Sequence, residues 1–342
     1  MTAGLPPRWL RRCLVDPLWV PLAVLLSCLF AVLGALAWLD GALIGLVRPV
    51  NGRLWRLAWL AWAYLTLNLV MVLGCFGLWL THPLRSRRGA EWLPAHVALL
   101  RWCLDRLQVA SHALVGFTVL TEQPLPPRQA GSTAPFLVFA RHAGPGDSFA
   151  LVHLIASRLD RCPRVVLKAA LQWDPGLDVL LNRLRCYFVP SRSGAGEDRV
   201  EPLSELAAGL GGDDALLLFP EGGNWTPHRH RRAVRRLWRS GRRRAAREAE
   251  ANTHVLPPYP GGALACLQAR PDAEVLVVAH TGLDTLTSPG LIWRALPLGE
   301  RPMRISWWQQ SAATIPADEA GQRDWLEAQW DRMQDWVAQN SR

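Results

Sequence analysis

Lysine is all but missing: Lys168 is the only one, so arginine carries nearly all the positive charge. A compact ammonium in a chain that otherwise uses guanidinium groups marks Lys168 as a candidate functional residue. Paired cysteine spacing is missing too. The seven cysteines are odd in number, scattered and never C-x-x-C, which argues against a disulfide framework or a zinc site. A reducing, cytoplasmic setting for the soluble part follows. There is no G-x-S-x-G elbow, which argues against a serine hydrolase. No internal repeat is present. His228, His230 and His254 offer an H-x-H pair without a third ligand nearby, so no metal is indicated.

Hydrophobic residue and positive charge are plentiful. A length of 342 residues with 50% hydrophobic content suffices for one large domain or two ordinary ones. A net charge of +10 and a pI near 10.1 call for a polyanionic neighbour, and phosphates of lipid, nucleotide or nucleic acid all qualify.

Leu18 to Leu39 and Leu57 to Thr81 run without a charge, each about the 20 residues that cross a bilayer's hydrocarbon layer. Two membrane helices are predicted. A signal peptide is the alternative, with Ala35 and Ala37 as an A-x-A-like site after Arg8, Arg11 and Arg12. The length of the apolar run and the second span weigh against it. Arg8, Arg11 and Arg12 before the first span, and Arg85, Arg87 and Arg88 after the second, outweigh Arg48, Arg53 and Arg56 set against Asp40 between them. That bias predicts both ends of the hairpin on the cytoplasmic side of the cell (inner) membrane.

From Glu91 to about Val119, Leu99, Leu100, Cys103, Leu104 and Leu107 recur at helical spacing. The pattern breaks at Gln123-Pro124-Leu125-Pro126-Pro127, a connector. Beyond it, short apolar runs at Phe136–Ala140, Val165–Lys168, Cys186–Val189, Ala215–Phe219 and Val275–Ala279 read as buried strands. Helical stretches at Ser148–Leu159, Leu177–Leu184, Val200–Leu210 and Leu264–Ala269 intervene. The alternation predicts an α/β fold with a mostly parallel central sheet flanked by helices, behind an N-terminal transmembrane hairpin. The expected divisions are a membrane hairpin over 1–90, an amphipathic helix and connector over 91–130, and a catalytic domain over 131–342. A last helix over Asp318–Asn340 places Trp325, Leu326, Trp330, Met333, Trp336 and Val337 on one side, either to pack on the domain or to lie at a membrane surface.

In R-H-A-G-P-G-D-S, Arg141 to Ser148, the turn Ala143-Gly144-Pro145-Gly146 is short enough to fold the Asp147 carboxylate onto His142. Such a pair fixes the imidazole tautomer and frees the other ring nitrogen to take a proton from a hydroxyl. The plainer reading makes Asp147 a helix N-cap and His142 a loop residue. F-P-E-G-G, Phe219 to Gly223, turns off the end of another strand, where glycines admit a ligand to backbone N–H groups and Glu221 offers a carboxylate. By itself this is a strand-end turn. Both stretches fall at carboxyl ends of strands, where α/β sheets bind ligands.

Together and in this order, the two stretches resemble the glycerolipid acyltransferase family, the lysophosphatidic acid (PlsC-like) acyltransferases. The likeness extends to Val165-Val166-Leu167-Lys168, to Asp174-Pro175-Gly176, and to Tyr187-Phe188-Val189-Pro190-Ser191-Arg192. A proline-bearing strand of the family corresponds to Val255-Leu256-Pro257-Pro258, followed by Gly261-Gly262. The resemblance implies a membrane-bound O-acyltransferase that moves a fatty acyl group from acyl-CoA or acyl carrier protein to a lysophospholipid, most simply 1-acylglycerol 3-phosphate, giving phosphatidic acid. It implies His142 as the base, Asp147 as its orienting partner, and Lys168, Arg192, Glu221, Gly222 and Gly223 at the substrate. No cofactor or metal is implied, since the thioester is a co-substrate. The chain departs from the family at Arg141, where Asn is common, and at Gly223-Asn224, where Thr-Arg usually follows. Arg229, Arg231 and Arg232 are candidates for the missing arginine. A related acceptor such as glycerol 3-phosphate, or an inactive membrane-anchored adaptor, is the competing reading.

His228 to Arg247 holds ten arginines and no acid, with Val234, Leu237, Trp238 and Ala245 on one helical stripe. That pattern predicts a helix lying on an anionic membrane, or else a solvated arm. Nucleic acid is not expected, because no aromatic platform accompanies the charge.

Overall fold

The computed structural model describes residues 5–45, 52–82, 92–124, 134–144, 146–190, 200–284, 286 and 288–341. Arg48, Arg85, Arg87, Arg88, Glu91, Leu125, Pro126, Pro127, Pro145, Ser191 and Arg192 lie outside the described residues.

The chain opens with α1 (Arg8–Leu10), which continues through a π turn (Arg11–Val15) into α2 (Asp16–Gly45), followed by α3 (Arg53–Thr81), α4 (Trp92–Val115) and β1 (Val119–Thr121). Next come β2 (Phe136–Ala140), α5 (Asp147–His153), β3 (Cys162–Lys168), a 3-10 turn (Ala169–Trp173), α6 (Pro175–Arg183), β4 (Tyr187–Val189), α7 (Val200–Ala208) and β5 (Asp214–Leu218). The remainder is α8 (Pro227–Arg239), α9 (Arg243–Ala251), α10 (Pro260–Ala269), β6 (Glu274–Thr281), α11 (Pro289–Ala295), β7 (Met303–Gln310) and α12 (Glu319–Asn340).

These elements form one seven-stranded sheet in the order β1-β7-β6-β2-β5-β3-β4. β2 is parallel to both β5 and β6, β3 to β5, and β1 to β7, whereas β6 and β7 pair antiparallel. The fold class is as the alternation of elements predicts. All five residues of β2 are buried and so are all five of β5, the signature of strands covered on both faces. β1 and β7 were not foreseen: β1 is three residues long, and the two tryptophans of β7 hide its alternation. Val255 to Pro258 is not a strand, contrary to expectation. Its two consecutive prolines lack the N–H a ladder requires.

The chain divides into two compact units, one made of Met1–Thr118, Leu167–Ser191 and Ile292–Pro302, the other of Val119–Val166, Arg192–Leu291 and Met303–Arg342.

In the first unit α2 and α3 are long and apolar enough to cross a membrane. On α3 the residues Ala63, Leu67, Met71 and Cys75, spaced one helical turn apart, form a buried stripe. Asn68 interrupts that apolar face and is fully enclosed. Its amide Nδ2 and the Tyr64 hydroxyl both donate to the carboxylate of Asp174, and Trp19 Nε1 donates to Asn68 Oδ1 at 2.7 Å. Asp174 also caps α6 by accepting from the Leu177 N–H at 2.9 Å. Gly176 lies so close that a Cβ there would stand 2.6 Å from Asn68 Nδ2. The Asp-Pro-Gly turn is therefore where α6 docks on α3. Arg11 and Arg12, expected as flanking charges, are spent on Asp178 of α6, at 2.9 and 2.8 Å. A carboxylate enclosed to 1% exposure needs cations beside it.

In the second unit α12 packs against β6, with Leu326, Trp330, Met333 and Val337 buried, so its apolar side packs on the domain. The basic tract departs from expectation. It forms two helices, not one, with the chain reversing at Ser240 to Arg242. Val234 and Leu237 of α8 pack on Ala246 and Ala249 of α9, with Ala245 alongside. Val234 and Leu237 of the stripe are thus buried within the domain, while Trp238 stays exposed among the arginines. Two short amphipathic helices remove more apolar surface from water by facing each other than either does alone.

Candidate active site

The site is built entirely within the second unit, at the carboxyl ends of β2, β5 and β6. Leaving β2, the chain turns through Gly144 and Gly146. A Cβ on Gly144 would stand 2.6 Å from the Leu283 carbonyl oxygen, and Gly146 has φ +96°, a region that favours glycine. The turn delivers Asp147 to the start of α5, where its side chain points back rather than capping the helix in the ordinary way. His142 Nδ1 is 2.7 Å from Asp147 Oδ2. The same oxygen accepts the N–H groups of Ala143 at 2.9 Å and Gly144 at 3.2 Å, while Oδ1 accepts the Ser148 N–H at 2.6 Å.

Burial opposes the charged form of Asp147. The hydrogen bond from His142, the nearby imidazoles of His280 and His142, and the Gly144 N–H outweigh it and hold the carboxyl below its ordinary value. An ionised Asp147 makes Nδ1 the protonated nitrogen of a neutral His142 and leaves Nε2 as the acceptor. Asp147 is enclosed at 1% exposure, whereas the His142 side chain reaches solvent at 22%.

F-P-E-G-G meets this loop from the end of β5. The Phe219 ring lies 4.7 Å from the His142 ring, centroid to centroid, and the Trp225 N–H donates to the His142 carbonyl at 3.0 Å. Glu221 is buried, with both carboxyl oxygens lacking a hydrogen-bond partner. Gly222 and Gly223 follow in the same turn, which the Gly222 N–H closes on the Phe219 carbonyl at 3.0 Å. The guanidinium of Arg229, in the first turn of α8, folds back over Gly223 and hydrogen-bonds both oxygens of Asn224.

The structure brings His142, Asp147, Glu221, Gly222 and Gly223 together. Lys168 is exposed at the end of β3, in the first unit. Arg192 lies outside the described residues.

Three further residues complete the surroundings of His142. Arg141, only 1% exposed, donates to the carbonyls of His280 and His254, each at 2.7 Å, and pairs with Asp284. His280 Nε2 is 2.8 Å from the Arg141 carbonyl oxygen and 3.8 Å from Asp147 Oδ2. Burial lowers the His280 pKa, and because its Nε2 faces a carbonyl oxygen, that nitrogen carries the hydrogen and donates to Arg141. The sequence signal for His280 and Asp284 was their place just after the apolar run of β6, the strand end that also carries His142 on β2.

Residues 117–259 match the protein-family model described as Acyltransferase. That stretch is similar to acyltransferases over somewhat less than half of the chain. The acyltransferase match spans the His142–Asp147 loop, F-P-E-G-G and the basic helices. A solved structure similar to the chain is that of the 1-acyl-sn-glycerophosphate (LPA) acyltransferase, PlsC, from Thermotoga maritima, with 15% identity and a TM-score of 0.49 over 80% of this chain and 95% of that one. No curated protein matches the chain.

Proposed function

We propose that the chain is a membrane-bound O-acyltransferase that moves a fatty acyl group from acyl-CoA or acyl carrier protein to a lysophospholipid, with 1-acylglycerol 3-phosphate as acceptor and phosphatidic acid as product. The observation that carries this reading is the His142–Asp147 pair, 2.7 Å apart and tied to F-P-E-G-G through Trp225. His142 Nε2 takes the proton of the acceptor hydroxyl as its oxygen attacks the thioester carbonyl. The C–S bond then breaks, and the imidazolium returns the proton to the leaving thiolate. Asp147 stabilises the charged imidazolium and fixes its orientation.

Arg229 supports a phosphate-bearing acceptor, because it stands where the family's Thr-Arg pair would follow F-P-E-G. Gly222 and Gly223 are proposed to meet the substrate, and the family resemblance adds Lys168 and Arg192 as substrate-binding residues. The hairpin over 1–90 anchors the enzyme, the segment 91–130 connects it, and 131–342 carries the chemistry on the cytoplasmic side of the inner membrane. Gly223-Asn224 favours a second reading, in which another lysolipid or glycerol 3-phosphate is the acceptor. Purified chain in detergent with labelled acyl-CoA and a panel of lysolipids and glycerol 3-phosphate separates the two. Transfer to none of them, with the protein folded, would favour the inactive adaptor.

A further inference from the structure

The glutamate of F-P-E-G-G is not presented as a substrate ligand would be. Glu221 is 2% exposed and neither carboxyl oxygen has a hydrogen-bond partner, although it lies in the loop that sets the Phe219 ring against His142. The cation nearest in effect is Arg141, whose Nη groups are already given to the carbonyls of His280 and His254 and to Asp284. From α12 the indole N–H of Trp330 faces the carboxyl, and from the segment before α10 so does the backbone N–H of Leu256. Neither closes to hydrogen-bond geometry. The remaining charged group acting on it, Asp147, is an anion.

An ionised carboxylate in such a place would be a buried charge that Arg141 offsets from a distance and no donor hydrogen-bonds, a state proteins avoid by binding a proton. An anion there would also repel the phosphate of an acceptor. We infer that Glu221 is a positioning residue held as the neutral acid, which seats the loop of Phe219 to Gly223 against α12 and the Leu256 segment so that Phe219 and Trp225 hold His142 in place. Burial pushes its carboxyl up to about 8, against the opposing effect of Arg141. The kinetic part rests on the acyl-transfer reading above; the neutral-acid part does not.

The test uses the full chain in detergent, with acyl-CoA and 1-acylglycerol 3-phosphate, for wild type, Glu221→Gln and Asp284→Asn between pH 5 and pH 9.5. In the wild type kcat falls as pH rises through about 8. In Glu221→Gln that limb is absent and the acceptor KM stays within about twofold of wild type, since the amide reproduces the shape and neutrality of the acid. A rise of about tenfold or more in acceptor KM, with donor KM and thermal midpoint unchanged, would overturn the positioning role.

Thermal midpoints supply an arm that needs no activity. The unfolded glutamate ionises near its ordinary value of about 4.3 while the folded one stays neutral. The wild-type midpoint therefore drops relative to Glu221→Gln as pH rises from 5 to about 8, then runs parallel to it. A constant offset across the range would overturn the neutral acid. Asp284→Asn removes the carboxylate that offsets Arg141, so the wild-type limb moves to lower pH; a limb that stays in place counts against the proposal even if Glu221→Gln does not fold. Wild-type protein that transfers to no acceptor while showing the predicted midpoint trend would sink the acyl-transfer reading and leave the neutral acid standing.

Discussion

The backbone N–H of Trp225 donates to the carbonyl oxygen of His142 at 3.0 Å, joining the loop that leaves β5 to the loop that leaves β2. With the Phe219 ring 4.7 Å from the imidazole and Asp147 Oδ2 2.7 Å from Nδ1, both loops contribute to holding His142. His142 is therefore held by two loops from adjacent parallel strands. Its geometry follows from the β2–β5 register, in which Phe139 lies opposite Leu218.

His142→Ala is expected to lower kcat by about 10² to 10⁴ with little change in thermal midpoint, because the ring is a partly exposed base and not a core residue. Asp147→Asn is expected to slow transfer as well, since the amide can bond the wrong imidazole tautomer. It also carries a stability signature. The depressed carboxyl of Asp147 contributes stability that is complete above the ordinary aspartate value and lost as pH falls through its lower folded value. Midpoints between pH 2 and pH 6 should fall less steeply with acid in Asp147→Asn than in wild type. Full transfer by His142→Ala would refute the mechanism.

Arg141→Met should destabilise the second unit by about 3 kcal/mol, because it strands Asp284 and the carbonyls of His254 and His280 together. Asp284→Asn should cost less, as the Asp284 side chain is 27% exposed and the amide can still accept from Arg141. Urea denaturation followed by tryptophan fluorescence orders the two variants. The reverse order would mean that Arg141 is not the hub of this network.

Gly176→Ala should loosen α6 from α3, at about 1 to 3 kcal/mol, since the new methyl collides with Asn68. Asn68→Leu should also weaken the docking by leaving Asp174 and Trp19 without their shared partner. Limited proteolysis in detergent reads both effects as faster cleavage around α6. Protection equal to wild type in both variants would show that the Asp-Pro-Gly turn is not the docking point.

Arg229→Gln should raise the KM for a phosphate-bearing acceptor several-fold, leaving the donor KM in place, as expected when an exposed charge-assisted contact to phosphate is removed. An unaltered acceptor KM would remove Arg229 from the site and return the question to Arg231 and Arg232.

The sequence by itself determined the alternating strands and helices, the two long apolar helices and the two loops of the candidate site. Each is a local property: apolar period, run length, or residue types at fixed spacing around glycine and proline. His142 and Asp147 were legible because a turn of four residues confines where the carboxylate can go. Only tertiary structure decided the rest. Whether the stripe of Val234 and Leu237 faces lipid or α9 depends on where the chain reverses, and the basic tract carries the same amphipathic pattern in either case. Arg141, His280 and Asp284 meet only because β2 and β6 are neighbours, a pairing that no local pattern specifies. Glu221 read as a carboxylate offered to substrate until the packing of α12 enclosed it. Spacing along the chain can supply a functional group, but its charge and exposure are set by neighbours that arrive from distant sequence.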